Sequence, residues 1–273
     1  MDSNPPHIRP MRKEDWNSLD QLEAEIFPED RLNEKDFQRI LVTQRMFALE
    51  SESNQLIGYL YVAPFGDDTG IIGRIGVTKK QQKKGLGSQL MQYALNWFQE
   101  HGGIRKVILN TQDFNMAAQK LYTKFGFRTV GTTWHYFVPF NTIQPQGRYT
   151  CQEISSKEID SISTIYPETM PASQIHRWLE NDLFVFTLKT TTKKIIGACR
   201  FTPDFPGAYP FNLEVIEAFD DFIEGIRAFS LPSYDYVRVT FEDNLELAKL
   251  MAHRKYKLHH RLFKMELNLA KKE

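Results

Sequence analysis

The sequence predicts a mixed α/β fold laid down twice. From Ile8 onward, short apolar stretches of strand type alternate with amphipathic helical ones. The same order then returns at a fixed offset, and a polar stretch with Pro and Gly, Asn141–Arg148, separates the two rounds.

In the first round, strands are expected at Ile8–Met11, Met46–Glu50, Leu56–Pro64, Gly70–Val77 and Lys106–Thr111, with one or two more over Phe127–Phe140. Helices are expected at Glu14–Ile26, ended by Pro28, and at Asn33–Leu41, Gly85–His101 and Met116–Phe125. Gly102–Gly103 reads as the stop of the third helix. In the second round, Tyr166–Pro167 answers Phe27–Pro28 and Ile196–Gly197 answers Ile57–Gly58, each 139 positions on. Further along the offset fails. Gly58 to Asn115 spans 57 positions, while Gly197 to its counterpart Asn244 spans 47. The deficit resembles the length of the loop between strand and helix near Gln82–Ser88, and Phe211–Leu231 holds no Gly-x-Gly. The expected domains are therefore 1–143 and 149–273, the second lacking that loop.

At 273 residues the chain is long enough for two domains. Lys plus Arg and Asp plus Glu both number 34, so the basic footprint of a general nucleic-acid binder is missing. Two cysteines, Cys151 and Cys199, make neither a disulfide framework nor a metal cluster and suit a reducing, cytoplasmic setting. The start, MDSNPPHIRP, is not of signal-peptide type, and no run approaches the ~20 apolar residues of a membrane span. Seven histidines lack metal-ligand spacing. No metal, nucleic acid or membrane partner is expected.

The loop Val77–Ser88 follows a strand and opens a helix, where unpaired amides and a positive dipole end suit an anion. Gly85 and Gly87 let a phosphate approach the main chain, Ser88 offers a hydroxyl, and Lys79, Lys80, Lys83 and Lys84 raise the local potential. By itself such a loop is equally a solvated basic turn. It is not a Walker loop, because no Gly-Lys-Ser/Thr follows, and a dinucleotide fingerprint would need glycine where Leu90 stands. The next helix reads Asn115-x-x-Ala118-x-x-Leu121-Tyr122-x-x-Phe125-Gly126-Phe127. Ala118, Leu121 and Phe125 are expected to be buried, with Asn115, Ala118 and Tyr122 on a neighbouring stripe that faces a ligand.

Together, Gln82-x-x-Gly85-x-Gly87 and the Asn115–Phe127 pattern resemble the GNAT superfamily of N-acetyltransferases, over roughly residues 6–140 and more loosely over 149–273. The resemblance implies two GNAT-like domains, each a mixed, mostly antiparallel sheet flanked by helices. It implies acetyl-CoA as cosubstrate. Its pyrophosphate would lie on the backbone of Gln82, Lys83, Lys84, Gly85, Leu86, Gly87 and Ser88, its pantetheine arm along Ile75 and Val77, and Asn115 would lie on the same side. Asn115 reads equally as a helix N-cap. Gly76 reads equally as a place of ligand approach or of plain packing.

By the same resemblance, Tyr122 is the general acid toward the leaving thiolate, and an amine of a small molecule or peptide attacks the thioester directly. No base stands at either family position. Asn110 occupies one, and Gly70–Val77 has no Glu for the other. Glu25, Glu50, His135 or a water chain remain. The second domain has Met251 in place of the tyrosine and Lys255–Tyr256 in place of Gly-Phe, so neither CoA binding nor catalysis is expected of it. Trp134, Tyr136, Trp178, Tyr209 and Phe211 are core aromatics or cleft linings. The competing readings are a non-catalytic acyl-CoA-binding module and a nucleotide-phosphate binder.

Overall fold

The computed structural model of the chain describes residues 5–42, 45–101 and 103–269; Gly102, half of the expected helix stop, lies outside them. The chain divides into two compact units. The first comprises residues 1–109, 115–128 and 265–273, the second 110–114 and 129–264.

The first copy of the repeat runs β1 (His7–Pro10), α1 (Trp16–Ile26), α2 (Glu34–Val42), β2 (Met46–Glu50), β3 (Leu56–Phe65), β4 (Thr69–Val77), α3 (Leu86–Glu100), β5 (Lys106–Gln112), α4 (Met116–Lys124) and β6 (Arg128–Pro139). The second runs β7 (Thr150–Glu153), α5 (Ile159–Ile165), α6 (Ala172–Glu180), β8 (Phe184–Lys189), β9 (Ile195–Thr202), β10 (Gly207–Leu213), α7 (Phe219–Arg227), β11 (Tyr236–Glu242), α8 (Leu245–His253) and β12 (Lys257–Asn268). The expected strands over Phe127–Phe140 are one strand. Both copies place the same ten elements in the same order.

In the first unit, β1 to β4 are antiparallel neighbours and β5 lies parallel to β4. Strand β2 is buried on both faces because both are covered. Met46 and Ala48 pack with Leu19 and Leu22 of α1 and Phe37 of α2, and Phe47 meets Tyr93 of α3. Successive side chains of a strand point to opposite faces, so one five-residue stretch serves both layers. Helix α3 lies close on β4, since a Cβ on Gly70 would overlap the Phe98 ring.

The second unit repeats the plan. Strands β7 to β10 are antiparallel neighbours. Strand β11 is parallel to β10 and antiparallel to β6. The last strand of the first copy thus lies mostly in the second unit, and residues 265–268 of the second copy's last strand lie in the first, where Leu269 N donates to Arg105 O at 2.8 Å. The expected linker is tied down: the amides of Gln146, Gly147, Arg148 and Tyr149 all donate to the Asp221 carboxylate. Tyr136 and Phe211 lie in this unit's core, Trp134 packs against it, and Trp178 is buried.

The hairpin registers locate the ten missing residues of the second copy. Gly58 faces Val77, 19 positions on, and Gly197 faces Leu213, 16 positions on. From those strand ends to the capping asparagines the counts are 38, to Asn115, and 31, to Asn244. Three residues are therefore lost from the hairpin and seven, net, between the strand end and the capping asparagine. The loop alone does not carry the deficit.

Candidate active site

The site begins at a strand edge. Pairing of β4 with β5 covers Thr69–Ile72 and stops at Ile72 opposite Leu109. On the other side β4 continues against β3 to Val77. Thr78 N donates to Ile57 O at 2.9 Å. Hydrogen-bonded pairs alternate along an antiparallel ladder, so Gly76 faces β3, while the N–H and C=O groups of Ile75 and Val77 point away from it. The Val77 carbonyl accepts from Gln82 Nε2 at 3.1 Å. That bond places the carboxamide on the open edge of the strand.

Beyond Val77, Lys79–Gln81 forms a single 3-10 turn, Lys83 takes a left-handed φ of 62° and Gly85 one of 85°. Gly85 is the N-cap of α3 and has no side chain to cap it, so the helix starts one residue later than expected. The first helical bond runs from Gln89 N to Gly85 O at 3.0 Å. The amides of Leu86, Gly87 and Ser88 precede it and have no partner within the helix. The first turn carries no acid. A Cβ on Gly85 would meet nothing within 4 Å, and one on Gly87 would sit 3.3 Å from Leu121 Cδ2. A glycine-lined helix start with spare amides and neighbouring lysines fits a pyrophosphate.

Helix α4 closes against this start through Leu121. Asn115 is its N-cap, with Oδ1 accepting from Ala118 N at 3.1 Å. The expected burial stripe is corrected: Tyr122 is the buried residue of α4, while Ala118, Leu121 and Phe125 are only partly covered. The Tyr122 ring lies 6.2 Å from that of Phe127. Burial alone pushes its hydroxyl pKa up to about 12.

Gly76 is explained by packing, since a Cβ there would overlap Ile26 Cδ1 at the end of α1. Of the base candidates, Glu25 Oε1 accepts from Lys79 N at 2.6 Å and so fixes the 3-10 turn. Glu50 is held by Arg9 at 2.5 Å and His7 at 3.3 Å. His135 is pushed down to about 3, first by burial and then by His260, His259 and Arg238, too low for an effective base near neutral pH.

A buried acid escaped the sequence reading. Glu23 of α1 accepts from the hydroxyl of Tyr59 in β3, from Leu32 N at 2.7 Å and from Arg74 Nη1 of β4 at 3.0 Å. Arg74 Nη2 also reaches Asp30 O at 2.7 Å, and its guanidinium lies 5.0 Å from the centre of the Phe27 ring. The cluster pins the loop after α1 to the sheet. Its signal was available: Leu19, Leu22, Glu23 and Ile26 share one helical face, and an acid on an apolar face needs a partner.

The second copy differs at each point. Asn244 caps α8 as Asn115 caps α4, but its Nδ2 also donates to Leu213 O, the counterpart of Val77 O, at 3.0 Å. The first turn of α7 carries Asp220 and Asp221, where α3 carries no acid. Asp221 binds the linker amides, and Asp220 pairs with Arg254. The position of Tyr122 is taken by the buried Met251.

Residues 11–127 match the acetyltransferase (GNAT) family. This stretch is a GNAT domain. No curated protein matches the sequence, but solved structures do. A candidate acetyltransferase of Pyrococcus horikoshii aligns over 100% of this chain and 92% of its own, with a TM-score of 0.72 and 14% identity. A GCN5-related N-acetyltransferase of Sphaerobacter thermophilus aligns over 96% and 95%, with 0.70 and 13%. A tandem GNAT protein from the clavulanic acid biosynthesis pathway aligns over 98% and 100%, with 0.64 and 12%. At such identities the likeness is one of fold, and the fold is a tandem GNAT arrangement. The GNAT family in general transfers acyl groups from acetyl-CoA. Among the described residues, no helix is long and apolar enough to cross a membrane.

Proposed function

We propose that the GNAT domain transfers the acetyl group of acetyl-CoA to a primary amine of a small molecule or peptide, by direct attack in a ternary complex. The observation that supports this reading is the open edge of β4 at Ile75 and Val77, running straight into the uncapped, glycine-lined start of α3. The cosubstrate supplies an activated thioester. The backbone of Gln82–Ser88 holds its pyrophosphate, with Asn115 at the start of α4 on the same side. Ile75 and Val77 align its arm, the Gln82 carboxamide giving up the Val77 carbonyl to an amide of that arm.

The amine nitrogen bonds to the carbonyl carbon, the carbon–sulfur bond breaks, and the amine proton leaves through water. Water takes this part because Glu25 and Glu50 are already hydrogen-bonded and His135 is too weak a base. Tyr122 donates a hydrogen bond to the leaving sulfur. With its pKa near 12, full transfer to a thiolate of ordinary pKa ~8.5 would be uphill by about 5 kcal/mol, so the hydroxyl stabilises the thiolate and keeps its proton. We assign binding and catalysis to the first copy, residues 1–143, and neither to residues 149–273. Two unbridged cysteines suit a cytoplasmic setting.

A thiol-release assay with acetyl-CoA and a panel of primary amines tests the reading. Release with at least one amine supports it. Tight acetyl-CoA binding without release from any amine favours the second reading, a non-catalytic acyl-CoA-binding module, which the engagement of both glutamates also favours.

A further inference from the structure

In the second unit, α7 and α8 cover the face of β6 and β11 that carries Tyr136, Val138, Val237, Val239 and Phe241. The two-residue period of a strand puts His135, Phe137 and Arg238 on the opposite face, and the register sets Arg238 directly across from Phe137. The Arg238 guanidinium lies 3.8 Å from the centre of the Phe205 ring and 5.5 Å from that of Phe137. Lys257 Nζ stands 5.5 Å over the same Phe137 ring, and the His259 ring is 5.0 Å from it. The charges that oppose protonation of His135, after burial itself, are His260, His259 and Arg238. Arg238 and Lys257 give the face two fixed positive charges. Its own acid is committed elsewhere: Glu242 accepts from Lys264 Nζ at 2.6 Å and from the Tyr209 hydroxyl at 3.1 Å.

The decisive feature is Arg238 Nε, which is buried and makes no hydrogen bond among the described residues. Buried donors are almost always paired, and one left bare is costly unless a partner arrives. We propose that this face binds the carboxylate of a small organic acid, with Arg238 holding its oxygens and the rings of Phe137 and Phe205 flanking its apolar body. A planar guanidinium matches a carboxylate through two parallel hydrogen bonds. Aromatic walls favour an organic body over a strongly hydrated inorganic anion. Its residues all belong to the second unit, and the proposal does not depend on acetyl transfer.

The test titrates benzoate, and separately inorganic phosphate, into the full chain by calorimetry and saturation-transfer NMR. Benzoate is expected to bind, and Arg238→Gln to weaken it by about tenfold or more, the loss expected for a charge-assisted hydrogen bond. Arg238→Lys, which keeps the charge and protects the fold, is expected to bind benzoate with intermediate affinity, and acetyl-CoA binding is expected to be unchanged in both variants. The proposal is overturned if wild-type protein does not bind benzoate at millimolar concentration, if both variants bind it as wild type does, or if phosphate binds more tightly than benzoate.

Discussion

Asn244 Nδ2 donates to the carbonyl of Leu213 at 3.0 Å, across the same strand end that Gln82 occupies in the first copy by bonding Val77. The two bonds have different consequences. Gln82 lies exposed on the loop, and in the proposed complex an amide of the ligand takes its place. Asn244 uses its other amide atom to cap α8, so its release would cost a helix cap of ~1 kcal/mol as well. Together with two aspartates at the start of α7, this supports the proposal that the second copy takes no anionic ligand. Calorimetry should find one acetyl-CoA per chain, and Gly87→Val in the first copy should abolish the whole signal. A second binding event surviving that change would refute the assignment.

Tyr122→Phe removes one hydroxyl and leaves the ring packed beside Phe127. If the hydroxyl serves the leaving sulfur only as bonds break, kcat should fall by roughly 10- to 100-fold, the worth of one hydrogen bond to a developing charge. The dissociation constant for acetyl-CoA should stay within about twofold, because ground-state binding does not use that bond. Steady-state kinetics beside calorimetry separate the two quantities. Unchanged turnover would remove Tyr122 from the reaction.

The same tyrosine makes a stability prediction. Its pKa rises from 10.0 unfolded to about 12 folded through burial. The folded state therefore keeps the proton after the unfolded chain has lost it. Its contribution is whole below pH ~10 and is lost as pH climbs toward 12, on the order of 2–3 kcal/mol in all. Cys151, raised from 9.0 to about 12 by burial, acts in the same direction from a lower starting pH. Urea denaturation at a series of alkaline pH values should show wild type losing stability more steeply than Tyr122→Phe, by one proton's worth of slope.

Gly85 and Gly87 are glycine for different reasons, and alanine separates them. At Gly85 there is ample room but φ is 85°, so alanine pays the left-handed penalty of ~1–2 kcal/mol. At Gly87 there is no φ demand, but a Cβ would crowd Leu121 at 3.3 Å. Gly85→Ala should lower the melting temperature and weaken acetyl-CoA through a displaced loop. Gly87→Ala should change stability little while still weakening acetyl-CoA. Equal behaviour of the two in melts and binding would contradict this division.

Much of this was legible in the sequence, for identifiable reasons. Elements with a clear period, such as α3 with Leu90, Ala94 and Phe98 on one side, fall where the pattern puts them. The internal repeat holds through ten elements because each copy keeps its hairpin register, Gly58 to Val77 and Gly197 to Leu213. What the sequence concealed depends on long-range partners. The cause of Gly76 is a methyl group of Ile26, fifty positions away in the chain. The burial of Tyr122 in place of the Ala118–Leu121–Phe125 stripe depends on how α4 is rolled, which its own period leaves open. Membership of β6 in the second unit is set by its ladder with β11, about a hundred residues downstream. A strand's hydrophobicity does not name its neighbour.

Glu23 is fully enclosed and accepts from Tyr59, Leu32 and Arg74. Taking away one partner of such a pair leaves a desolvated group behind, and costs of ~3–5 kcal/mol are typical. Arg74→Met should therefore destabilise the chain strongly, and so should Glu23→Leu. The double variant should recover much of the loss, since replacing both partners by apolar groups strands no charge, although Leu32 N and the Tyr59 hydroxyl still lose their acceptor. Neither residue lies in the loop Gln82–Ser88, so the double variant should keep acetyl-CoA affinity. Chemical denaturation of the four proteins, with the dissociation constant for acetyl-CoA measured beside it, tests both halves. Strict additivity of the two single losses would show that Glu23 and Arg74 do not act as a pair.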